Sequence, residues 1–356
     1  MNYIFATNQK TMRLIALIFT LTAFSIQSYA QDILAQAKSG DNWGYINAKG
    51  EFVIKPQFTN CHGFSEGLAP IYDKKAKTFY FIKPDGSKFE TEVEKFKLKN
   101  ILGFGTIGLS EGMVPVQVGK KWGYMNASGK MVAEAKFDKA TKFNDGKGVA
   151  KLGEVFFLID SKGTETKVDI PGIEDVKQFS GGVAPFKAKG LMGFIDQNGA
   201  VTCEAQFKGL GYMSEDGLAW AKNEAGLVGF VSKSGDTKIE FAYKSAKNFT
   251  DGVSKSKKGE STVYVSSNGK EIVPESADSS GKFSDGLAYA KSNGKVGFIG
   301  KDGKWVVDPQ FDKVRGFKNG LCAARQGDMW GFIDTSGKWV IKPQYDAVKD
   351  FEKVSK

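Results

Sequence analysis

The feature that most constrains this chain is a short cassette that recurs along almost its whole length. Each copy contains an aromatic-Gly-aromatic step, a polar stretch with a Gly, and an apolar segment that ends in Pro-Gln-aromatic. The first copy runs from Trp43 to Phe58 and the last from Trp330 to Tyr345. Intermediate copies begin at Trp122, Met192, Val228 and Val296. A fixed-period repeat determines the architecture, and a residue present in every copy is expected to build the fold.

A second cassette alternates with the first. It consists of an aromatic or apolar residue, two polar residues, a Gly and a small apolar segment, as in Phe283 to Ala288. Its turn glycines lie at positions 67, 112, 146, 182, 217, 252, 286 and 320. Most of these glycines are about 35 residues apart, the spacing of a structural repeat. With degraded copies included, the chain holds nine units, and the second is lengthened by an insertion at about residues 88–105.

Each unit predicts three short strands: the Gly-Leu-Ala segment, the aromatic-Gly segment and the segment that ends in Pro. Pairs such as Asn198-Gly199 and Asp302-Gly303 predict hairpins between the last two strands, because such turns need residues that tolerate positive φ. The segment before the next Phe, for example residues 312–316, is predicted to be a turn or one helical turn. One unit buries too little apolar surface to fold alone, so neighbouring units must stack.

The sequence therefore predicts an all-β tandem array of about nine three-stranded antiparallel units. Two closures fit this pattern, an open curved solenoid and a closed propeller-like ring. Nine short units strain a ring, and a ring usually shares one sheet between the two chain ends. The repeat begins at Leu34 and ends at Phe351 in phase, which does not require such sharing. We therefore expect the open solenoid, with the ring as the alternative.

The alternation of Trp-Gly-Phe-Ile-Asp and Val-Ile-x-Pro-Gln-Tyr with Phe-x-x-Gly-Leu-Ala resembles the bacterial WG-containing repeat family over residues 34–351. Units two, four and seven depart from the pattern because they lack the Trp-Gly pair. The resemblance implies an exported or envelope-associated protein with a variable number of repeats, and implies no particular activity. Variable copy number suits an open array.

The first thirty residues predict a signal peptide. Lys10 and Arg13 precede a mostly apolar run over residues 14–26, and Ser28-Tyr29-Ala30 provides small residues for cleavage. The run is too short to predict a membrane span. Translation from Met1 or from Met12 fits the pattern equally. We expect an exported domain over residues 31–356, periplasmic, secreted or at the cell surface, with no membrane span after cleavage.

Charge and cysteine content narrow the function classes. The formal net charge is +10, or +8 without the two basic residues of the leader, and the lysines are interspersed along the chain. This pattern predicts a solvated surface and argues against nucleic-acid binding, which needs a basic patch. Cys61, Cys203 and Cys322 align with small or apolar positions of other units. We expect three buried free thiols, not a disulfide framework or a metal site.

No residue set predicts catalysis, a metal site or a cofactor. The single histidine, His62, lies beside Cys61 at a variable position of the repeat, without the partners of a catalytic triad or a zinc site. No Gly-rich phosphate loop is present in a strand-to-helix context. Acidic residues precede the second-cassette Gly in several units, at Glu66, Glu111, Asp145, Asp251 and Asp285. Because they recur with the turn, we expect them to make local turn hydrogen bonds.

Three tryptophans, Trp220, Trp305 and Trp339, stand at variable positions and are the candidate ligand surface. The leading hypothesis is an exported, non-enzymatic scaffold for protein–protein interaction in the bacterial envelope, with an unknown envelope or extracellular protein as partner. The alternative is a glycan-binding module that uses the three tryptophans. In either case, a specific site is expected where the cassette is broken.

Overall fold

A computed structural model describes residues 33–101, 105–275 and 277–355. The predicted signal peptide, residues 1–30, lies outside the described residues. All regular secondary structure in the described part of the chain is β-strand, which confirms the all-β prediction.

The strands of the first part of the chain are β1 (Ile33–Ser39), β2 (Asn42–Ile46), β3 (Phe52–Phe58), β4 (Ala69–Asp73), β5 (Thr78–Ile82), β6 (Lys88–Phe89), β7 (Lys97–Leu98), β8 (Asn100–Ile101), β9 (Gly105–Thr106), β10 (Met113–Val118), β11 (Lys121–Asn126) and β12 (Met131–Phe137). The middle part contains β13 (Lys139–Ala140), β14 (Gly148–Leu152), β15 (Val155–Ile159), β16 (Glu165–Lys167), β17 (Ile173–Val176), β18 (Val183–Ala188), β19 (Leu191–Asp196), β20 (Val201–Phe207), β21 (Gly209–Leu210), β22 (Ala219–Lys222), β23 (Val228–Val231) and β24 (Thr237–Tyr243).

The last part contains β25 (Ser245–Ala246), β26 (Val253–Lys258), β27 (Ser261–Ser266), β28 (Glu271–Ile272), β29 (Ser279–Ser284), β30 (Leu287–Ser292), β31 (Lys295–Ile299), β32 (Trp305–Phe311), β33 (Lys313–Val314), β34 (Cys322–Gln326), β35 (Met329–Ile333), β36 (Trp339–Tyr345), β37 (Ala347–Val348) and β38 (Glu352–Lys353).

Within the described residues these strands form nine antiparallel sheets, here called blades 1 to 9, and one additional hairpin of β8 and β9. A regular blade has four strands, called A, B, C and D from the inside of the molecule outward. Blades 3 to 9 follow in chain order as β7-β10-β11-β12, β13 to β16, β17 to β20, β21 to β24, β25 to β28, β29 to β32 and β33 to β36. Blade 2 consists of β4, β5 and β6, and its A strand is reduced to a bridge between Cys61 and Ile71.

Blade 1 contains both ends of the described chain, and it closes the ring. Its B, C and D strands are β1, β2 and β3, while β37 and β38 supply strand A through pairs such as Ala37 with Val348 and Leu34 with Glu352. The predicted open solenoid is therefore wrong, and the molecule is a closed nine-bladed β-propeller. The described residues begin on a B strand and end on an A strand, so each end of the described chain supplies what the other lacks. Pairing them removes two exposed sheet edges.

The hydrophobic core is divided among the nine seams between adjacent blades. Each of nine clusters of buried side chains joins one blade to the next, and one of them joins blade 9 to blade 1 through Phe332, Tyr345, Ile46 and Val348. Buried hydroxyls add specific ties. The Tyr124 hydroxyl of blade 3 donates to the Thr141 carbonyl of blade 4, at 3.0 Å. Stability therefore depends on an unbroken circle of neighbours.

The prediction of three strands per unit is also wrong, because the segment expected to be a turn forms strand A. In blade 9, Lys313 pairs with Arg325 and Val314 with Ala324. Strand A usually has only two ladder pairs before the chain becomes irregular. A stretch this short cannot show the alternation of apolar and polar residues that predicts a strand.

The Gly of the Trp-Gly pair is required by a close crossing of two strands. A Cβ on Gly44 would lie 2.4 Å from the Ile54 carbonyl oxygen, because strand D bulges at this point. The same register shift occurs in the other blades that have this Gly. Blades 2, 4 and 7, which lack it, have short D strands without a shift. Units two, four and seven therefore depart from the sequence pattern because their outer strand D is short and does not bulge.

The prediction of three buried free thiols is confirmed. Cys61, Cys203 and Cys322 are free and buried, at 6%, 2% and 0% exposure, in the core positions that the repeat alignment assigns to them. Burial raises the pKa of the Cys61 thiol to about 12. Such a thiol stays protonated and is a poor nucleophile.

Candidate functional site

The A–B turns of the blades lie together on one face of the ring, and most of them are tight two-residue turns. In blade 8 the turn residues are Asp285, with φ 51°, and Gly286, with φ 82°, between the paired residues Ser284 and Leu287. Both residues adopt positive φ, as a type I′ turn requires. In this turn the amide N–H groups of the two central residues point away from the hairpin and need acceptors from elsewhere.

The acceptors come from the neighbouring blade. Carboxylate oxygens of Glu66 accept from the amides of Glu111 and Gly112, at 2.7 and 2.6 Å, and those of Glu111 accept from Asp145 and Gly146, at 2.9 and 2.7 Å. The next three bonds join Asp145 to Gly182 at 2.8 Å, Asp251 to Gly286 at 2.5 Å and Asp285 to Gly320 at 2.7 Å. The turns of blades 3, 4, 5, 8 and 9 thus each receive a carboxylate from the blade before them. We call this series of bonds the carboxylate relay.

The relay corrects the prediction of local turn hydrogen bonds. These acids do serve the turns, but each serves the turn of the next blade, 34 to 46 residues further along. Because a charged acceptor strengthens the bond to an amide, the relay links blade to blade around the ring.

The relay is interrupted at blades 5 and 6. Blade 5 has Gly181 where the acid would stand. In blade 6 the turn is one residue longer, and the Gly217 amide donates to the Ser214 carbonyl of the same turn, at 3.0 Å. Glu215 and Asp216 occupy this longer turn, are exposed, and make no hydrogen bond or ion pair within the described residues. A sequence comparison of the turns shows the extra residue, because Met213 and Gly217 are four positions apart while Phe283 and Gly286 are three apart.

A cavity of about 1060 Å³ opens on this face, at the mouth of the central channel. Its walls come from the A–B turns of blades 4 to 8 and, through Lys301, from the C–D loop of blade 8. The centre of this arc is the interrupted part of the relay. Residues that line it and bear charge are Asp145, Glu215, Asp216, Asp251, Lys282, Asp285 and Lys301. The aromatic ring of Tyr212 also lines it, and burial, followed by the charge of Asp175, raises the pKa of that phenol. We call this cavity the channel mouth.

His62 lies outside the channel mouth, in strand A of blade 2. Its Nε2 is 3.1 Å from the Thr106 hydroxyl of the hairpin β8–β9, and its carbonyl accepts from the Tyr45 hydroxyl at 2.7 Å. Burial, and then the positive charge of Lys349, lower the pKa of His62 to about 4. The side chain is therefore a neutral, weakly basic group that joins blade 2 to the insertion.

The three candidate tryptophans are not brought together. Trp339 packs edge-on against Phe311 across the seam of blades 8 and 9, with ring centroids 5.6 Å apart, and Trp305 packs in the seam of blades 7 and 8. Trp220 lies over Gly211 of its own blade, where a Cβ would come within 2.4 Å of the ring. All three are partly buried. The glycan-binding hypothesis stays a prediction, and the packing of these rings suits a role in the seams.

The described residues hold no group of three or more His, Cys, Asp and Glu side chains arranged to bind a metal ion. In the same part of the chain no helix is long and apolar enough to cross a membrane.

Comparison with known proteins places the repeat in a family. The model for the WG containing repeat matches residues 43–74, 122–155, 192–225, 229–260, 297–330 and 330–353, together more than half of the chain. No curated protein matches the chain.

Several solved structures resemble the chain at low sequence identity. A structure described as the eukaryotic initiation factor aligns over 90% of this chain and 97% of its own, with a TM-score of 0.60 and 10% identity. Dihydro-heme d1 dehydrogenase NirN aligns over 92% of this chain and 76% of its own, with a TM-score of 0.48 and 12% identity. BamB from Moraxella catarrhalis aligns over 75% and 90%, with a TM-score of 0.41 and 11% identity. At such identity the likeness concerns the fold alone.

Proposed function

This chain belongs to the WG-containing repeat family, and we propose that it is a non-enzymatic protein-interaction scaffold that binds a partner protein at the channel mouth. We further propose that it is exported and acts in the bacterial envelope. The observation that carries the proposal is the coincidence of the cavity with the interruption of the relay. Repeated residues elsewhere are engaged in building seams and turns, while the channel mouth presents Glu215 and Asp216 without partners.

The shape of the site supports a macromolecular partner. The cavity of about 1060 Å³ is open and draws its walls from five blades. Pockets for small molecules usually have volumes of about 300–1,000 Å³ and enclose most of the ligand in apolar walls. This wide, mainly polar mouth instead suits an inserted segment of another protein. The weakly basic His62 and the protonated Cys61 thiol also support a non-enzymatic role.

The proposal is tested by photo-crosslinking from two matched positions. A photoreactive amino acid replaces Glu215 at the channel mouth or Val340 on the exposed outer strand of blade 9, and the cells are irradiated before lysis. We expect one discrete adduct from position 215 and none from position 340. Equal adducts from both positions, or none from position 215, would contradict binding at the channel mouth.

The export proposal has its own test. Residues 1–30 are fused to a reporter that is active only outside the cytoplasm, and a second fusion replaces Lys10 and Arg13 with Glu. Basic residues before the apolar run help a leader to engage the export machinery, so we expect activity from the first fusion and little from the second. An inactive first fusion would contradict export, and it would leave the binding proposal to be judged by the crosslinks.

A further inference from the structure

We propose that the A–B turn of blade 7 binds a carboxylate carried by a peptide segment of the partner protein. This inference rests on the proposed function and specifies the chemistry by which the channel mouth recognises its partner. The binding groups are the Gly252 amide and the Lys301 ammonium group, which both line the cavity.

The Gly252 amide is an exception among equivalent groups. In blades 3, 4, 5, 8 and 9 the equivalent Gly amide donates to the carboxylate of the preceding blade. In blade 2 the Gly67 amide donates to the Val354 carbonyl, and in blade 6 the Gly217 amide donates to Ser214. Among the A–B turns of the described chain, only the Gly252 amide makes no such bond.

The turn of blade 7 has the same backbone shape as the turns that hold a carboxylate. Asp251 and Gly252 have φ values of 57° and 77°, close to the 51° and 82° of Asp285 and Gly286. Successive amides in such a turn form a concave anion-binding site. Five copies of this site in the same molecule hold a carboxylate, so the sixth is suited to hold one as well.

Lys301 adds a positive charge beside the empty position. Its Nζ lies 3.2 Å from a carboxylate oxygen of Asp251, and 3.9 Å from the point that a Cβ on Gly252 would occupy. Because Gly252 and Lys301 line the same cavity, the long side chain of Lys301 can reach a carboxylate that accepts from the Gly252 amide. Bonds between charged partners of this kind are stronger than those between neutral groups.

The surrounding charges restrict the ligand. Glu215 and Asp216 face the same cavity without partners and disfavour a simple anion. A peptide segment with a Lys or Arg beside an Asp or Glu fits both sets of charges. Its cation can pair with Glu215 and Asp216, while its carboxylate binds the Gly252 amide and Lys301. The ligand class is thus a peptide segment of mixed charge.

The extra residue in blade 6 explains why the site is empty. Met213-Ser214-Glu215-Asp216-Gly217-Leu218-Ala219 becomes Met-Ser-Asp-Gly-Leu-Ala when Glu215 is deleted, which matches the turn of blade 8. In that regular turn Asp216 would stand at the relay position and cap Gly252. Deletion of Glu215 is therefore expected to complete the relay from within the chain and to close the site.

The test follows the Gly252 amide by NMR in the full chain with ¹⁵N-labelled glycine, assigned with Gly252→Ala. The probe is the peptide Lys-Gly-Asp-Gly-Lys with both termini blocked, and its control has Asn in place of Asp. We expect a saturable downfield shift of the Gly252 amide with the Asp peptide only, and no shift of the capped Gly320 amide. A third peptide has its free C-terminus as its only carboxylate. Binding of this peptide would show that the site accepts a chain end, and binding of the Asp peptide that it accepts an acidic side chain.

Two variants complete the test. Lys301→Gln is expected to weaken binding about tenfold, because it removes a charged partner. Deletion of Glu215 is expected to abolish binding and to shift Gly252 without peptide. The inference is overturned if neither carboxylate peptide shifts the Gly252 amide resonance, or if the Asn peptide shifts it equally. It is also overturned if replacing both Glu215 and Asp216 with Gln shifts this resonance, because one of these side chains would then already bind the amide. Crosslinks from position 215 of the undeleted chain do not require a carboxylate at Gly252. If they form while the peptide tests fail, the scaffold proposal stands and only this inference is overturned.

Discussion

Blades 1 and 6 both depart from the repeat, but they differ in how the departure is compensated. In blade 1 the A–B turn is missing because the two strands come from opposite ends of the chain, and the Val354 carbonyl takes over as acceptor for the Gly67 amide. In blade 6 the turn is longer, its acids have no partners, and the Gly252 amide of the next blade is left without an acceptor. A break that the main chain compensates serves the fold, whereas an uncompensated break marks a candidate site.

The largest expected effect comes from breaking blade 1. A chain that ends at Tyr345 lacks β37 and β38, which exposes the edge of β1 and removes Val348 and Phe351 from the seam with blade 9. We expect loss of the cooperative thermal transition and aggregation on size-exclusion chromatography. Removal of residues 355 and 356 alone is the control and should leave the transition unchanged. A truncated chain that melts like the full chain would show that ring closure is not needed for stability.

The second effect is acid sensitivity at the seam of blades 1 and 2. Burial lowers the pKa of His62 to about 4, below its value of about 6.5 in the unfolded chain. As the pH falls, the unfolded chain therefore takes up the proton first, and stability is lost between about pH 6.5 and 4 but kept above that range. Allowing for partial exposure, this amounts to at most about 2 kcal/mol at pH 4.5.

Urea unfolding at pH 7.0 and 4.5 measures this loss in the wild type and in His62→Gln. The variant removes the titration of His62 and leaves the other acidic groups in place, so it should lose less stability on acidification. Equal losses in both proteins would contradict the assignment to His62. Glu215 and Asp216 of blade 6 are exposed and have no partner within the described residues, so neutral variants there should not change this loss.

A third, smaller effect tests the relay itself. Asp285→Gly copies the natural Gly181 of blade 5, keeps the positive φ of the turn, and removes the carboxylate that accepts from Gly320. We expect a loss of about 1 kcal/mol in the free energy of unfolding. Hydrogen exchange of the Gly320 amide should become faster at the same time. Unchanged exchange would show that the carboxylate does not protect this amide.

The smallest effect is expected in blade 6. Neutralising Glu215 or Asp216 with Gln or Asn should change the free energy of unfolding by less than about 0.5 kcal/mol, because neither carboxylate has a partner to lose. The same urea titrations provide the measurement, with Asp285→Gly as the positive control. A loss as large as that of Asp285→Gly would place these acids in the relay and weaken the contrast between the two blades.

Local features of the fold were predictable from the sequence, and contacts between distant segments were not. The Asp-Gly pairs indicated hairpins, and the repeat alignment placed Cys203 and Cys322 in the core, because both depend on short-range pattern. Ring closure depends on the pairing of Leu34 with Glu352, and no local pattern encodes it. Strand A was missed because two ladder pairs are too few to establish a period.

The channel mouth was not singled out by the sequence pattern. The expectation that a specific site lies where the cassette is broken stays a prediction, and the candidate tryptophans Trp220, Trp305 and Trp339 do not line this cavity. The sequence shows the extra residue at Glu215, but not its consequence for the Gly252 amide. That consequence depends on the acid of one blade serving the turn of the next, which is a contact between units.

The pairing of both chain ends in blade 1 has a consequence during synthesis on the ribosome. Blades 2 to 9 each take their strands from one continuous stretch of chain. One edge of β1 must instead wait for partners about 300 positions away, as in the bond from the Gly40 amide to Asp346. Until synthesis is complete, the nascent chain carries an unsatisfied strand at its leading end. Premature termination near the 3′ end of the message would therefore yield a product that is almost full length and yet open.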